Sequence, residues 1–194
     1  MSTNKHGRDF QKFWFVPAIV AVVAATALLE YAQGRNLICT CGRVLLWFGD
    51  AWASGTSQHL LDPYSFTHML HGFLLCWLIL WLLPRWRGGW QLWLAMTIEC
   101  GWELLENSTF VIQRYRTQTA ALGYAGDSIV NSVGDVLICG LGFLLARKLG
   151  FRRSLVGFAL VEVTLLFLYR DSLLLNIVML LVPIKGLQAW QAGH

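Results

Sequence analysis

The stretch YSFTHMLHGFLLCWLILWLLP, residues 64–84, opens on polar side chains and two histidines and then runs apolar to a proline. A helix needs about 20 apolar residues to cross a bilayer, and this run supplies that length. His68 and His71 lie three apart, so on a helix they share one face. Both sit at the polar end. The stretch therefore predicts a transmembrane helix that carries ionisable groups near one membrane face.

Similar runs lie on either side, at 13–31, 90–107 and 127–147. They make four firm spans. Residues 154–169 and 172–184 are apolar but short, and Arg170-Asp171 between them is too tight for a long loop, so they read as a helical hairpin or a re-entrant pair. The fold class expected is all-α, a polytopic transmembrane bundle of about six spans, four firm and two short, with five or four left open, in one domain, 1–194. Composition agrees: 194 residues are 56% hydrophobic and only 13% charged, with ten Trp and a mean hydropathy of +0.53, which excludes an ordinary soluble domain. Trp is enriched where one end of a ring is dry and the other wet.

The net charge of +4 does not mark a nucleic-acid surface, because the basic residues fall in short clusters between the apolar runs. Lys5, Arg8 and Lys12 precede the first run, Arg85 and Arg87 follow the second, and Arg147, Lys148, Arg152 and Arg153 follow the fourth. Positive residues stay inside, so alternation puts all of these clusters, Lys185 and both termini in the cytoplasm. The long segments 32–63 and 108–126 and the Arg170-Asp171 turn fall outside. The first run is too long for a cleaved leader and reads as a signal anchor. The expected location is a bacterial inner membrane, crossed several times. Segment 32–63 is expected to be a folded or membrane-skimming loop, since long structureless connections are uncommon.

Ionisable groups inside a membrane cost about 2.5–3.5 kcal/mol each at a helix centre, so they face a partner, a cavity or a site. Glu99, Glu103, Glu106 and Asn107 form one stripe on the third helix, and Asp127, Asn131 and Asp135 form another on the fourth. Asp127 alone reads as a helix cap; Asp135, two turns in, does not. The topology brings His68, His71, Glu103, Glu106, Asp127 and Asn131 to a common outer depth, with Glu30 and Asp171 on the same side. Glu162 is the exception, in the middle of an otherwise apolar helix.

The assignment expected from these positions makes Glu103, Glu106, Asp127 and Asp135 catalytic, and His68, His71 and His59 metal ligands. Arg114, Arg116 and Asn131 then contact substrate, the two guanidinium groups suiting a lipid phosphate or carboxylate. Spacing alone leaves three chemistries open. The first is a divalent metal, zinc, manganese or iron, that polarises a carbonyl or phosphoryl group or activates water. The second is metal-free acid–base catalysis. The third is binding or passage of an ion without chemistry.

The leading expectation is a membrane-embedded, metal-dependent enzyme acting on a lipid or lipid-linked substrate at the outer face of the inner membrane. The alternatives are a binding or assembly subunit, with a membrane-protein partner or a second copy, and a small ion or solute transporter. No Gly-rich nucleotide loop, nucleophile elbow or His-Glu-x-x-His motif occurs. Cys39 and Cys41 lie outside the apolar runs, and their Cys-x-Cys spacing strains a mutual disulfide, leaving a shared metal, a redox pair or two plain thiols. Cys76, Cys100 and Cys139 read as packing residues within helices.

The runs Cys39-Thr40-Cys41-Gly42, Ser57-Gln58-His59-Leu60 with Asp62-Pro63-Tyr64, Thr67-His68 with His71-Gly72, Gly101-Trp102-Glu103 with Glu106-Asn107, and Gly126-Asp127-Ser128 with Asn131-Ser132 and Gly134-Asp135 occur together. With Arg170-Asp171 and Asn176 they resemble a family of bacterial inner-membrane proteins, mainly alphaproteobacterial, catalogued as a domain of unknown function. That resemblance implies location and fold, and no reaction. A weaker likeness, over helices two to four, is to VanZ-like membrane proteins, a group associated with glycopeptide tolerance.

Overall fold

The computed structural model describes residues 14–119 and 123–193. Among them eight helices and no strand form: α1 (Phe15–Ala32), α2 (Ser65–Leu82), α3 (Gly88–Glu106), α4 (Thr109–Gln118), α5 (Ile129–Leu149), α6 (Phe151–Tyr169), α7 (Leu173–Leu181) and α8 (Lys185–Ala192). Their ends follow local chemistry. Pro84 crowds the residue before it, so Leu83 leaves the helical region at φ −129°, ψ 53° and α2 stops. Gly150, at φ 76°, turns the chain from α5 into α6 with no further linker. Ser108, Ser128 and Ser172 cap α4, α5 and α7 by accepting the amides of Val111, Asn131 and Leu175.

The centre is the pair α2 and α5, which pack more extensively on each other than any other two helices. Leu70, Phe73, Cys76 and Ile79 from α2 meet Phe143 and Ala146 from α5, Ala95 from α3, Phe158 from α6 and Leu173 from α7. Lipid tails are as apolar as Leu, so helix association in a bilayer relies on close fit and polar pairing. The fit here comes from glycine. A Cβ on Gly72 would collide with the backbone of Cys139 and Phe143, and one on Gly142 with the backbone of Met69. α1 packs on α3, and α4 rests against α7. Apolar side chains cover the outward faces, with Trp81 at 77% and Phe167 at 87% exposure; such a surface suits lipid.

Three helices, α1, α2 and α5, are long and apolar enough to cross a bilayer, and a fourth span forms if α6 and α7 count as one segment bent by 71°. That bent pair is what the reading of 154–169 and 172–184 as a hairpin or re-entrant pair expects, and the difference from about six spans lies in α3. α3, predicted as a firm span, is 19 residues long but carries Glu99, Glu103, Glu106 and Gln91 and is correspondingly less apolar. α7, expected to be short, has nine residues, about half of what a crossing requires. Lys5, Arg8 and Lys12, on which the orientation of the N-terminus rests, lie outside the described residues.

The segment 108–126, read from the sequence as a loop, contains α4. Val111, Ile112 and Tyr115 are buried on one side of this helix, and Ser108 provides the cap. Segment 32–63 contains no helix beyond the last residue of α1, Ala32, and folds back on the bundle. Phe48 N–H donates to Leu61 O at 2.9 Å and Leu60 N–H to Leu45 O at 3.0 Å, while Ser57 O accepts Ser128 N–H at 2.9 Å. Gly134 of α5 leaves the space through which the Leu60 carbonyl passes. Cys39 and Cys41 are joined in a disulfide, their Cα atoms 5.1 Å apart, within ordinary bridging distance.

Candidate functional site

Helical spacing places His68 and His71 one turn apart on α2, and Glu99 and Glu103 one turn apart on α3. The two faces meet. Glu99 Oε1 lies 2.6 Å from His68 Nδ1 and 2.9 Å from His71 Nδ1, so one carboxylate serves both imidazoles. Glu103 Oε1 lies 3.2 Å from His68 Nδ1. On the other side of the ring, His68 Nε2 is 3.9 Å from Asp135 Oδ2 of α5, and Ser65 donates to Asp135 Oδ1 at 2.7 Å. The edge of Trp102 covers His71, ring centres 5.8 Å apart.

Glu103 is fully buried, and neither of its carboxylate oxygens has a hydrogen bond. A buried acceptor left unmade costs about 1–3 kcal/mol, more when charged. His68 cannot satisfy it, because its Nδ1 points first at Glu99. Nitrogen and oxygen donors gathered in this way suit zinc, manganese or iron. Two overlapping sets converge, His68, His71 and Glu99, and His68, Glu103 and Asp135, each with donor atoms within 4.8 Å of one another.

A second polar layer lies beside the first. Asn107, at the end of α3, donates to Asp127 Oδ2 at 2.8 Å and accepts the Asp127 N–H at 2.7 Å; Tyr124 donates to Asp127 Oδ1 at 3.0 Å. Asp62 accepts Ser57 N–H at 2.6 Å and Tyr64 N–H at 2.8 Å. Burial nevertheless holds the Asp62 carboxyl above its usual range, those two amides opposing the shift. Burial and the neighbouring Asp127 carboxyl likewise push the Tyr124 hydroxyl well up, so it stays a donor. Tyr64 donates to Asp171 at 3.1 Å, and Tyr115 to Glu106.

These groups surround a cavity of about 890 Å³. His68, His71, Glu99, Glu106, Asp127 and Asp171 line its polar part, and Leu74, Leu75, Ile98, Leu173, Ile177 and Leu180 form an apolar wall. Of the groups expected to be catalytic, Glu106 and Asp127 reach the cavity; Glu103 and Asp135 sit behind His68 and touch it instead. Of the expected ligands, His68 and His71 stand together, whereas His59 does not join them. Its Nδ1 accepts the Leu45 amide at 3.3 Å, its ring packs on Phe48, and it groups with Cys39 and Cys41, already bonded to each other.

The expected substrate contacts are placed elsewhere too. Arg114 donates to the carbonyls of Leu180 and Leu181, at 2.5 and 3.0 Å, and so caps the C-terminus of α7. Arg116 is exposed. Asn131 donates to His59 O at 2.8 Å and fastens the outer loop. Glu162, the mid-helix exception, accepts the Leu173 and Leu174 amides at 2.9 and 3.2 Å and caps α7 from the neighbouring helix. Glu99, which stood in the acidic stripe without a role, is the centre of the cluster. Arg35, Tyr64, Tyr115 and Tyr124 line the cavity and carried no sequence signal beyond being polar near the ends of apolar runs.

The family profile described as "Protein of unknown function (DUF2585)" matches residues 30–193. A UPF0314 protein of Rhizobium etli is 45% identical over 94% of this chain and 93% of its own length. UPF0314 proteins of Paracoccus denitrificans, 45% identical over 90% of each chain, and of Brucella anthropi, 42% identical over 90% of this chain and 89% of its own, are similar to the same extent. No solved structure matches. The residues that carried the resemblance to a domain of unknown function, Cys39 to Asn176, all lie inside the matched region, and the chain belongs to the DUF2585, or UPF0314, family of bacterial proteins.

Proposed function

We propose that this protein is a metal-dependent enzyme embedded in the bacterial inner membrane, acting on a lipid or lipid-linked substrate at the outer face. The observation that carries this reading is the fully buried Glu103 carboxylate, without a hydrogen bond, beside His68, Glu99 and His71 at the head of a cavity with an apolar wall. A cation there would satisfy Glu103 and neutralise the carboxylates that otherwise repel one another. Bonds of 2.0–2.2 Å to nitrogen and oxygen place tetrahedral donors about 3.4 Å apart. Three contacts among these groups, His68–Glu99 at 2.6 Å, His71–Glu99 at 2.9 Å and His68–Glu103 at 3.2 Å, are shorter than that and would lengthen on binding.

In this arrangement His68, His71, Glu99 and Glu103 would hold the metal, and Asp135, 3.9 Å from the second nitrogen of His68, would orient the ring. A metal held there would supply polarisation of a carbonyl or phosphoryl oxygen or activation of a water. Asp127, which lines the cavity beside it, is placed to take or give a proton. The outer face is assigned by the positive-inside rule applied to Arg85, Arg87, Arg147, Lys148, Arg152 and Arg153. The test is elemental analysis of protein purified in mild detergent without chelator. One equivalent of zinc, manganese or iron is expected in the wild-type protein and a loss of most of it in His71→Ala and Glu99→Gln, with unfolding temperature measured in parallel. Wild-type protein without a stoichiometric transition metal sinks the proposal.

A further inference from the structure

Two cavity-lining residues carry a polar atom that is shielded from solvent and makes no hydrogen bond: Arg35, through Nε, and Glu106, through Oε2. One is a cationic donor and the other an acceptor. Unmade polar groups of this kind are rare in native proteins and ask for a partner. Neither residue is loosely placed. Arg35 donates from a terminal guanidinium nitrogen to Ala125 O at 2.5 Å. That guanidinium occupies the space a side chain at position 126 would fill, where Gly126 adopts φ +86°. Glu106 is held by Tyr115, whose ring packs edge-on against Tyr124 at 5.3 Å.

A ligand that satisfies both atoms presents an acceptor to Arg35 and a donor to Glu106. A phosphate meets a guanidinium fork through two N–H groups, and an ammonium meets a carboxylate flanked by tyrosine rings, which add cation–π attraction. We infer that the cavity binds a zwitterionic aminoalkyl phosphate group, its phosphate on Arg35 and its ammonium on Glu106. The wall of Leu74, Leu75, Ile98, Leu173, Ile177 and Leu180 then receives an attached acyl chain. This deepens the proposed function, on whose membrane-facing cavity it rests, by naming the substrate class.

The experiment is native mass spectrometry of the protein from detergent micelles doped equally with phosphatidylethanolamine and phosphatidylglycerol, with O-phosphoethanolamine as a soluble competitor. Wild-type protein retains phosphatidylethanolamine at least about tenfold over phosphatidylglycerol, the effect of one charge-assisted contact. Glu106→Gln lowers phosphatidylethanolamine to the phosphatidylglycerol level, and Arg35→Gln lowers both lipids. Equal retention of the two lipids by the wild type, or an undiminished preference in Glu106→Gln, overturns the inference. Full displacement by O-phosphoethanolamine with no lipid retained supports the headgroup chemistry and overturns the lipid as its source. Metal content and unfolding temperature read on the same samples separate the outcomes. Wild-type protein that lacks metal yet prefers phosphatidylethanolamine defeats the metal-dependent reading alone, and a folded variant that keeps its metal while losing the preference tests the headgroup site alone.

Discussion

Replacing Gly72 by Ala adds one methyl group at the close crossing of α2 and α5. Its Cβ would stand 2.6 Å from Phe143 N and closer still to the Cys139 carbonyl oxygen, where ordinary contact begins at 3.4 Å. Both neighbours are backbone, so no side chain can swing aside; α2 and α5 must part by about an ångström or more. Overpacking of this kind costs about 1–3 kcal/mol. The strain also falls next to His71, and the same displacement pulls His68 from Asp135, already 3.9 Å away. Gly101→Ala is the matched control, because its Cβ would meet nothing within 4 Å and α3 gains helix propensity. Thermal unfolding in detergent, followed by intrinsic Trp fluorescence, should show Gly72→Ala several degrees below wild type and Gly101→Ala at or above it. An unchanged midpoint for Gly72→Ala would refute the claim that this backbone contact sets the distance between the two helices and therefore the geometry of the cluster.

Asp62 ties stability to pH. Burial raises its folded pKa above the ordinary value of 3.8, so the stability it contributes is full below that value and is lost as pH rises through the folded pKa. Asp62→Asn removes the titration, and its unfolding midpoint should fall less with rising pH than that of the wild type; parallel curves would assign the dependence to other groups. Glu162→Ala leaves the Leu173 and Leu174 amides without acceptors, which should free the first turn of α7 by about 1–2 kcal/mol. Hydrogen exchange at residues 173–175 should accelerate roughly tenfold, with protection in α2 and α5 unchanged; equal acceleration everywhere would mean global unfolding instead.

Much of the helix pattern was legible because a long apolar run has few alternatives. The run at 64–84 becomes α2 (Ser65–Leu82), and the run at 127–147 becomes α5 (Ile129–Leu149), each within two residues of the boundaries read from hydropathy and caps. α4 was missed, because a short helix whose buried face is only Val111, Ile112 and Tyr115 leaves too weak a period to separate from loop. Glu99 was seen and given no role. Its importance lies in accepting from His68 and His71, 31 and 28 residues away in sequence, and no local pattern records which of three acids on one face a neighbouring helix will meet.

The sequence by itself determined the class of solvent, the helical architecture and the crowding of His68, His71, Glu103, Glu106, Asp127 and Asn131 toward one end of the helices, since each follows from apolar length and a period of 3.6. Tertiary structure alone decided the pairing: His59 and Asn131 bound into the outer loop, Arg114 and Glu162 spent on the ends of α7, and Arg35 turned into the cavity beside Gly126. Charged groups in a low-dielectric interior must find partners, and the partner that wins depends on sub-ångström approach between helices. That approach is set by glycines such as Gly72 and Gly142 meeting the backbone of another helix.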